Sequence, residues 1–198
     1  MKLMAVGSEA RLYAEGDRVI KVRDRKGYRI KEIDEQLRKT RTRIEFGILR
    51  KCYTAGLPVP SPIRLDEDRY TIEMERIEGV PFDTAFSAGK MGEFGEMVAK
   101  MHGLGVFHGD LTTANILSTG KGLVLIDFGL AGYSAKEEDR ATDLFLLKNA
   151  LRSRHGGEFE GAYRRFLGAY SAAIGKGFKG INAHLKDIEK RRRYNEDY

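Results

Sequence analysis

The sequence is short of several features that define whole classes of protein. It has one cysteine and no tryptophan among 198 residues, so neither a disulfide framework nor a cysteine zinc site is available to it. No apolar run approaches the length that spans a membrane, and residues 1–6 lack the apolar centre of a signal peptide. We therefore expect a cytoplasmic protein without a membrane partner.

Positive charge is concentrated in two places. The formal net charge is +6, and residues 21–43 alone carry ten Lys and Arg against four Asp and Glu. A second basic cluster, Lys190-Arg191-Arg192-Arg193, lies near the C-terminus. Such clusters attract the phosphates of nucleic acids, but a basic stretch by itself is more often a solvated helix face. Charge alone leaves both interpretations open.

The hydrophobic pattern changes from alternating to helical along the chain. Strands are predicted at residues 2–6, 11–15, 19–22, 63–65, 70–74, 116–117 and 123–126. Helices are predicted at residues 28–39, 42–53, 94–104, 139–152, 158–174 and 181–193. With a break near residues 76–79, this order predicts one α+β domain of two kinase-like lobes, reduced in size. The strand-rich N-lobe would cover residues 1–77 and the helical C-lobe, with its basic tail, residues 78–198.

Two short motifs in the second part of the chain are typical of phosphotransfer chemistry. His108-Gly109-Asp110 is followed by Asn115, and Asp127-Phe128-Gly129 begins twelve residues after that Asn. An Asp, an Asn and a second Asp at these spacings can hold metal-bound phosphates against an attacking hydroxyl group. We expect Asp110 to orient the attacking hydroxyl or water and accept its proton, and Asn115 and Asp127 to bind Mg²⁺.

A lysine in the first part of the chain is a candidate for contacting the phosphates of ATP. Lys21, within the apolar strand of residues 19–22, matches the strand lysine of kinases that contacts the α- and β-phosphates. Such a lysine needs a carboxylate partner. Glu45 is the first candidate, and Glu32 and Glu35 are weaker ones. The competing interpretation of Glu45 is a capping box with Thr42.

The remaining nucleotide contacts are predicted at the two ends of the first lobe. Gly7-Ser8-Glu9-Ala10 lies between two strands, where a phosphate-covering loop would be, although a plain hairpin turn fits equally well. An adenine ring needs an apolar slot flanked by backbone donor and acceptor groups. Met74 would form the wall of that slot, and Glu75 and Ile77 would supply backbone groups.

The sequence departs from ordinary protein kinases in two ways. Gly109 replaces the Arg of the H-R-D motif, which argues against switching by phosphorylation of an activation loop. Only nine residues separate Gly129 from Asp139, and no A-P-E motif follows, so the platform for a peptide substrate is missing. Asp143 is expected either to anchor the catalytic loop through backbone N–H groups or to be a simple helix acid. His108 is expected to be a packed structural residue.

The chain resembles, over nearly its whole length, the small atypical kinase of the KEOPS (EKC) complex, the PRPK-type family. Besides the motifs above, the resemblance rests on Tyr28-Arg29…Ile33-Asp34…Leu37-Arg38…Arg41-Thr42…Glu45, Met74-Glu75-x-Ile77-x-Gly79 and Glu138-Asp139-x-Ala141-x-Asp143-Leu144. The chain departs from the family at Ile30-Lys31, where His-Pro is frequent, and in its tail, which lacks the family's glycine.

The resemblance implies an ATP- and Mg²⁺-dependent, autophosphorylating Ser/Thr kinase and ATPase. It also implies a TsaD-like threonylcarbamoyl transferase and other KEOPS subunits as partners in the threonylcarbamoyladenosine modification of tRNA, and leaves open whether tRNA itself is contacted.

Three other classes compete with this interpretation. Small-molecule phosphotransferases share H-G-D-x-x-x-x-N but usually carry a helical insertion for which this chain has no room. A non-catalytic nucleotide-binding scaffold need not keep Lys21, Asp110, Asn115 and Asp127 together. RIO-type kinases share H-G-D but typically lack Phe-Gly after the metal-binding Asp.

Overall fold

The first part of the chain forms an antiparallel sheet of five strands, in the spatial order β1-β2-β3-β5-β4. The computed structural model describes residues 1–7 and 9–196, and side chains up to residue 192. The strands are β1 (Lys2–Val6), β2 (Arg11–Glu15), β3 (Arg18–Val22), β4 (Pro62–Asp66) and β5 (Thr71–Glu75). Each predicted strand of this region is present to within one residue at either end.

Lys21 is buried although it carries a charge. It lies in a central strand and pairs with Leu12 of β2 on one side and with Ile72 of β5 on the other. Its side chain projects from one face of the sheet, where Glu45 and Asp127 contact it, and only 7% of the residue is exposed. A charged group in such a place needs an opposite charge beside it.

One long helix, α1 (Lys31–Thr54), packs on this sheet, where two helical segments were predicted. Thr42, Glu45, Leu49 and Cys52 recur on one face at helical spacing and are buried. The hydroxyl group of Thr42 donates to the carbonyl oxygen of Arg38 at 2.7 Å, inside the helix. The capping-box interpretation is therefore wrong, because Thr42 is not at a helix end. The helix ends before Gly56, which adopts a φ of 70°.

The only cysteine lies on the buried face of α1. Cys52 is 0% exposed. Burial raises the pKa of its thiol to about 11, against a weak opposing effect of Lys51. The side chain behaves as a small apolar core residue at neutral pH.

The second part of the chain is mainly helical, as predicted. It contains α2 (Met91–Gly103), α3 (Glu137–Arg154), α4 (Phe159–Ile174) and α5 (Phe178–Glu196). A small sheet of β6 (Val80–Pro81), β8 (Ile116–Thr119) and β9 (Gly122–Leu125) and a pairing of β7 (Val106–Phe107) with β10 (Gly132–Tyr133) complete it. The two-residue strands β6, β7 and β10 were not predicted. Antiparallel sheet and helical region together confirm the predicted α+β class.

Backbone contacts connect the small sheet to the rest of the molecule. The N–H group of Leu125 in β9 donates to Pro58 O at 2.9 Å, just beyond the end of α1.

No helix in the described part of the chain is long and apolar enough to cross a membrane.

The close approach of α2 to α4 depends on a glycine. Aromatic side chains fill the interface, with the rings of Phe94 and Phe166 5.3 Å apart. A Cβ atom added at Gly95 would lie 2.3 Å from Phe166 O and 3.0 Å from the backbone nitrogen of Tyr170. Only a residue without a side chain lets the two backbones approach this closely.

Replacing Gly95 with Ala should therefore destabilise the fold by about 1–3 kcal/mol, because the helices must separate. Gly168→Ala in α4 is the matched control, since nothing lies within 4 Å of a Cβ atom there. It should be neutral or stabilise the fold by up to about 1 kcal/mol through the higher helix propensity of Ala. Urea unfolding of both variants measures the difference, and equal stabilities would contradict this account of the interface.

Candidate active site

A buried carboxylate anchors the segment from His108 to Asn115, which is called the catalytic loop after the corresponding motif of kinases. Asp143 of α3 accepts the backbone N–H of His108 at 2.6 Å and that of Gly109 at 2.8 Å, one on each oxygen. The residue is 0% exposed. Of the two interpretations of Asp143, the loop anchor is confirmed and the simple helix acid is wrong.

A histidine that sequence reasoning missed holds this carboxylate in place. His102 Nε2 lies 3.1 Å from Asp143 Oδ2, and His102 Nδ1 lies 2.7 Å from the hydroxyl of Tyr170. Burial raises the pKa of Tyr170, so its hydroxyl keeps its proton, and the imidazole of His102 bridges this hydroxyl and the Asp143 carboxylate. Helices α2, α3 and α4 thus meet at one polar chain inside an apolar core. The only signal in the sequence was a His at the end of an otherwise apolar helix face.

Gly109 has a steric reason to be glycine. Its φ is 76°, and a Cβ atom there would lie 2.3 Å from Leu130 O. The segment that follows Phe128-Gly129 crosses the space that an Arg side chain would need. The absence of the H-R-D arginine is therefore built into the course of the chain.

Asp110 and Asn115 are fixed to one another. The amide nitrogen of Asn115 donates to the backbone oxygen of Asp110 at 2.8 Å and to its Oδ2 at 2.9 Å. These bonds use Nδ2, so Oδ1 is the atom that could bind a metal ion. His108 is buried as expected, and its Nδ1 accepts the Asp110 N–H at 3.3 Å while Nε2 donates to Ile126 O at 3.2 Å.

Asp127 lies at the start of a tight turn that directs its carboxylate toward Lys21. Its φ is 61°, and its Oδ1 accepts the Gly129 N–H at 3.1 Å and the Lys21 ammonium at 2.7 Å. Partial burial works to raise the Asp127 pKa, but the positive charge of Lys21 outweighs it and the pKa lies below its usual value. Half of the side chain, 51%, remains exposed and can meet a ligand.

The donor set fits Mg²⁺ held together with phosphates. No group of three or more His, Cys, Asp or Glu able to hold a metal ion occurs in the described part of the chain. One carboxylate, Asp127, and one amide oxygen, Asn115, provide hard oxygen ligands instead. Mg²⁺ is commonly bound through one or two protein oxygens, with phosphate oxygens and water completing its shell.

The predicted contact between Lys21 and Glu45 is present. Lys21 Nζ lies 2.6 Å from Glu45 Oε1, and Glu45 is 3% exposed. Burial would lower the pKa of Lys21, but the carboxylates of Glu45 and Asp127 outweigh it and raise that pKa above its usual value. Lys21 is therefore charged at neutral pH.

Arg23 is a second cation on Glu45 that the sequence analysis did not single out. Its Nη2 lies 2.6 Å from Glu45 Oε2, and only 3% of the residue is exposed. The signal was the strand period, because residues two apart on a strand point to the same face. Arg23 lies two positions after Lys21 and had been counted only as part of a basic patch.

A cavity of about 270 Å³ brings most of the predicted phosphate site together. Its lining includes the candidates Lys21, Asp110 and Asp127 and the loop residues Gly7, Glu9 and Ala10, along with Ala5, Val6, Leu12, Arg23, Gly129 and Leu130. The cavity therefore lies between the sheet and the segment that carries Asp110 and Asp127.

The predicted adenine contacts lie outside the lining of this cavity. Met74 and Glu75 end β5, and Met74 packs against the hydrophobic core. The backbone N–H of Glu75 donates to Ser61 O at 2.9 Å and is not available to a purine. The contacts expected of Met74, of the Ile77 backbone and of the Glu75 carbonyl stay predictions.

The loop between β1 and β2 is fastened from outside the cavity. Gly7 N–H donates to Ala10 O at 2.9 Å, which closes the turn. The carboxylate of Glu9 lies 3.5 Å from Arg29 and 3.2 Å from Arg41. Ser8, also predicted to contact nucleotide, lies outside the described residues.

Much of the basic stretch at residues 21–43 is paired. Arg38 binds the buried Asp34 at 2.7 Å and stacks on the ring of Tyr70, and Arg43 binds Glu67 at 2.6 Å. The charge excess available to a nucleic acid is smaller than the sequence suggests. In the C-terminal cluster, Arg191 of α5 binds Glu138 of α3 at 3.1 Å. The side chain of Arg193 lies outside the described residues, as do residues 197 and 198.

The comparison with protein families and solved structures agrees with this geometry. The family model of the RIO domain matches residues 8–145. A Rio2 kinase–ADP/Mg²⁺–phosphoaspartate complex from Chaetomium thermophilum has a TM-score of 0.58 at 19% identity, covering 98% of this chain and 72% of that one, which shows a shared fold. The Phe128-Gly129 pair, expected to separate this chain from RIO-type kinases, does not do so.

Two relatives match this chain over nearly their whole length, and a third matches it over about a third of its own length. An EKC/KEOPS complex subunit BUD32 of Enterocytozoon bieneusi is 36% identical, covering 99% of this chain and 100% of the relative. The KEOPS complex subunit Bud32 of Pyrococcus abyssi is 38% identical, covering 99% and 97%. A probable bifunctional tRNA threonylcarbamoyladenosine biosynthesis protein of Methanothermobacter thermautotrophicus is 36% identical over 98% of this chain, which spans only 37% of that relative. The chain belongs to the Bud32 family of RIO-domain proteins, and the resemblance noted from its motifs is confirmed.

Proposed function

We propose that the chain is an ATP- and Mg²⁺-dependent phosphotransferase that transfers the γ-phosphate to a hydroxyl group or to water. The observation that carries the proposal is the contact of one buried lysine with two carboxylates: Lys21 Nζ lies 2.6 Å from Glu45 and 2.7 Å from Asp127, in a cavity that Asp110 also lines. A structural ion pair would not need a half-exposed second carboxylate. A phosphate site does, because that carboxylate can release the lysine to the nucleotide.

Each polar residue has a distinct role in this proposal. Lys21 contacts the α- and β-phosphates, and Glu45 holds it in place. Asp110, fixed by Asn115, orients the acceptor and takes its proton as the bond to phosphorus forms and the bond to the β-phosphate oxygen breaks. Asp127 and Asn115 would hold Mg²⁺, which neutralises charge on the phosphate oxygens. Met74 and Ile77 would flank the adenine, where the lobes of residues 1–77 and 78–198 meet.

The relatives' names support a place in tRNA modification. Because Bud32 relatives are named as KEOPS subunits, we propose that the chain joins such a complex and supports threonylcarbamoyladenosine formation with a TsaD-like transferase. Only seven residues separate Gly129 from the start of α3 at Glu137, and two of them form β10. No peptide platform fits there, so the acceptor should be water, the chain itself or a group that a partner presents. Direct tRNA contact would have to use what remains unpaired of the basic stretch.

Asp127→Ala tests the proposed chemistry. The loss of a metal ligand leaves phosphate charge uncompensated, so ATP turnover should fall by about a hundredfold or more. Asp68→Ala, which removes a carboxylate that is 94% exposed on the β4–β5 turn, is the matched control and should leave turnover unchanged. Phosphate release at the wild-type rate from a folded Asp127→Ala protein would remove the proposed site.

Lys21→Ala and Glu45→Ala should lower ATP turnover to a similar degree, because each substitution removes one partner of the same ion pair. The double variant should then be little worse than either single one. Glu67→Ala serves as the control, since Glu67 also binds a cation of α1, Arg43, but at the surface. Turnover rates per folded molecule, with melting curves beside them, decide the matter. Additive losses in the double variant would argue that the two residues act separately.

A TsaD-like partner should change the rate of ATP turnover, while generic Ser/Thr peptides should be poor acceptors. Oriented binding of the acceptor supplies much of the rate of a phosphotransfer, and the seven residues between Gly129 and α3 leave no room for a platform that would orient a peptide. Labelled-phosphate transfer and phosphate release, each measured with and without the partner, test both statements. Rapid labelling of arbitrary peptides by the isolated chain would favour an ordinary signalling kinase.

A further inference from the structure

Five contacts around the proposed phosphate site close into a ring. Glu45 Oε1 binds Lys21, Lys21 binds Asp127 Oδ1, and that oxygen accepts the Gly129 N–H, at 2.6, 2.7 and 3.1 Å. Gly129 O then accepts from Arg23 Nη2 at 3.2 Å, and the same nitrogen returns to Glu45 Oε2 at 2.6 Å. The ring joins β3, α1 and the Asp127-Phe128-Gly129 segment.

The two cations of the ring differ in what they can do. Lys21 and Asp127 both line the cavity and are the members expected to turn toward a nucleotide and its metal ion. Arg23 also lines the cavity, but its side chain is only 2% exposed, and among the described residues it bonds to the carboxylate of Glu45 and the backbone oxygen of Gly129. When Lys21 and Asp127 separate, the path through Arg23 is the link that still connects α1 to the metal-binding segment.

The burial of Arg23 argues against a role in stability alone. Its Nε and Nη1 atoms are buried and have no hydrogen-bond partner among the described residues. A buried guanidinium with unpaired N–H groups lowers the stability of the fold, because the desolvation of those groups is not compensated. This cost offsets much of what the two hydrogen bonds of Arg23 contribute. Its planar shape does suit one task, since Nη2 directs two hydrogens at two acceptors in fixed directions.

Gly129 is packed closely against Asp127 and Lys21. A Cβ atom there would lie 3.0 Å from Asp127 Oδ1 and 3.2 Å from Lys21 Nζ. The N–H of Gly129 holds the Asp127 carboxylate while its C=O is held by Arg23. A shift at Arg23 is therefore passed through one residue to the carboxylate.

We propose that Arg23 is a positioning residue that holds the metal-binding Asp127 in place relative to Glu45 by fixing Gly129. The inference rests on the proposed function and adds to it a cavity-lining residue whose enclosed side chain acts through Gly129 and not as a ligand of the metal ion. Residues that orient a metal ligand from behind affect metal affinity by about 10- to 100-fold in other proteins.

The test is the Mg²⁺ dependence of two substitutions, Arg23→Gln and Arg23→Lys. Glutamine removes the positive charge. Lysine keeps a positive charge next to Glu45, but it is shorter and lacks the planar guanidinium that reaches Gly129 O as well. For each full-length variant, the Mg²⁺ concentration that half-saturates the ADP-dependent rise in Tm is measured, together with that for phosphate release. Arg43→Gln is the matched control, because Arg43 also pairs with a glutamate, Glu67, but does so at the surface, with a side chain that is 62% exposed.

Both Arg23 variants should need about tenfold more Mg²⁺ in the Tm assay, as expected for a residue that orients a metal ligand, and the control should match the wild type. A lower Tm without nucleotide but an unchanged Mg²⁺ midpoint would make Arg23 merely structural and overturn the proposal. Should Arg23→Gln fail to fold, Arg23→Lys, which removes no charge, decides alone. Wild-type protein that binds Mg²⁺·ADP but releases no phosphate would refute the proposed function, while the Tm midpoints would still test Arg23.

Discussion

The site depends on two buried carboxylates that must not be left without partners. A buried negative charge is costly unless it is hydrogen-bonded, so the groups around it are held as firmly as the carboxylate itself. Asp143 satisfies this requirement with two consecutive backbone N–H groups and His102, which fixes the catalytic loop on the helical side. Glu45 satisfies it with Lys21 and Arg23, which fixes the proposed phosphate-binding lysine on the sheet side. Asp110 and Asp127 can stay partly exposed because the buried Asp143 and Glu45 hold the segments around them in place.

Local pattern was sufficient wherever a residue's role follows from its own segment. The strands of the sheet alternate and are bounded by turns, so their limits were predicted to within a residue. Lys21 was identifiable because its apolar strand context matches that of the kinase lysine that contacts phosphates, and Glu45 because it points inward from the helix that carries Leu49. The helices of the second part were found from their spacing, with ends displaced by up to three residues.

Contacts between distant segments could not be predicted in the same way. The pairing of β7 with β10 joins residues 106–107 to 132–133, and two residues carry no period. His102 depends on Tyr170 and Asp143, which lie on two other helices. Thr42 looked like a cap because the sequence shows no sign that two helical segments are one helix. Charge counting overestimated the basic patch, since Glu9 and Glu67, which neutralise part of it, lie outside the counted window.

The solitary, enclosed thiol has a practical consequence. Cys52 is 0% exposed with a pKa of about 11, so almost none of it is thiolate at neutral pH and alkylating reagents should pass it by. Cysteines introduced elsewhere should therefore be labelled specifically, without replacement of Cys52. Cysteines introduced at exposed positions, one on the β4–β5 turn and one on α5, could carry a pair of fluorophores without further change to the sequence. Opening and closing of the cavity could then be followed as a distance in a single molecule.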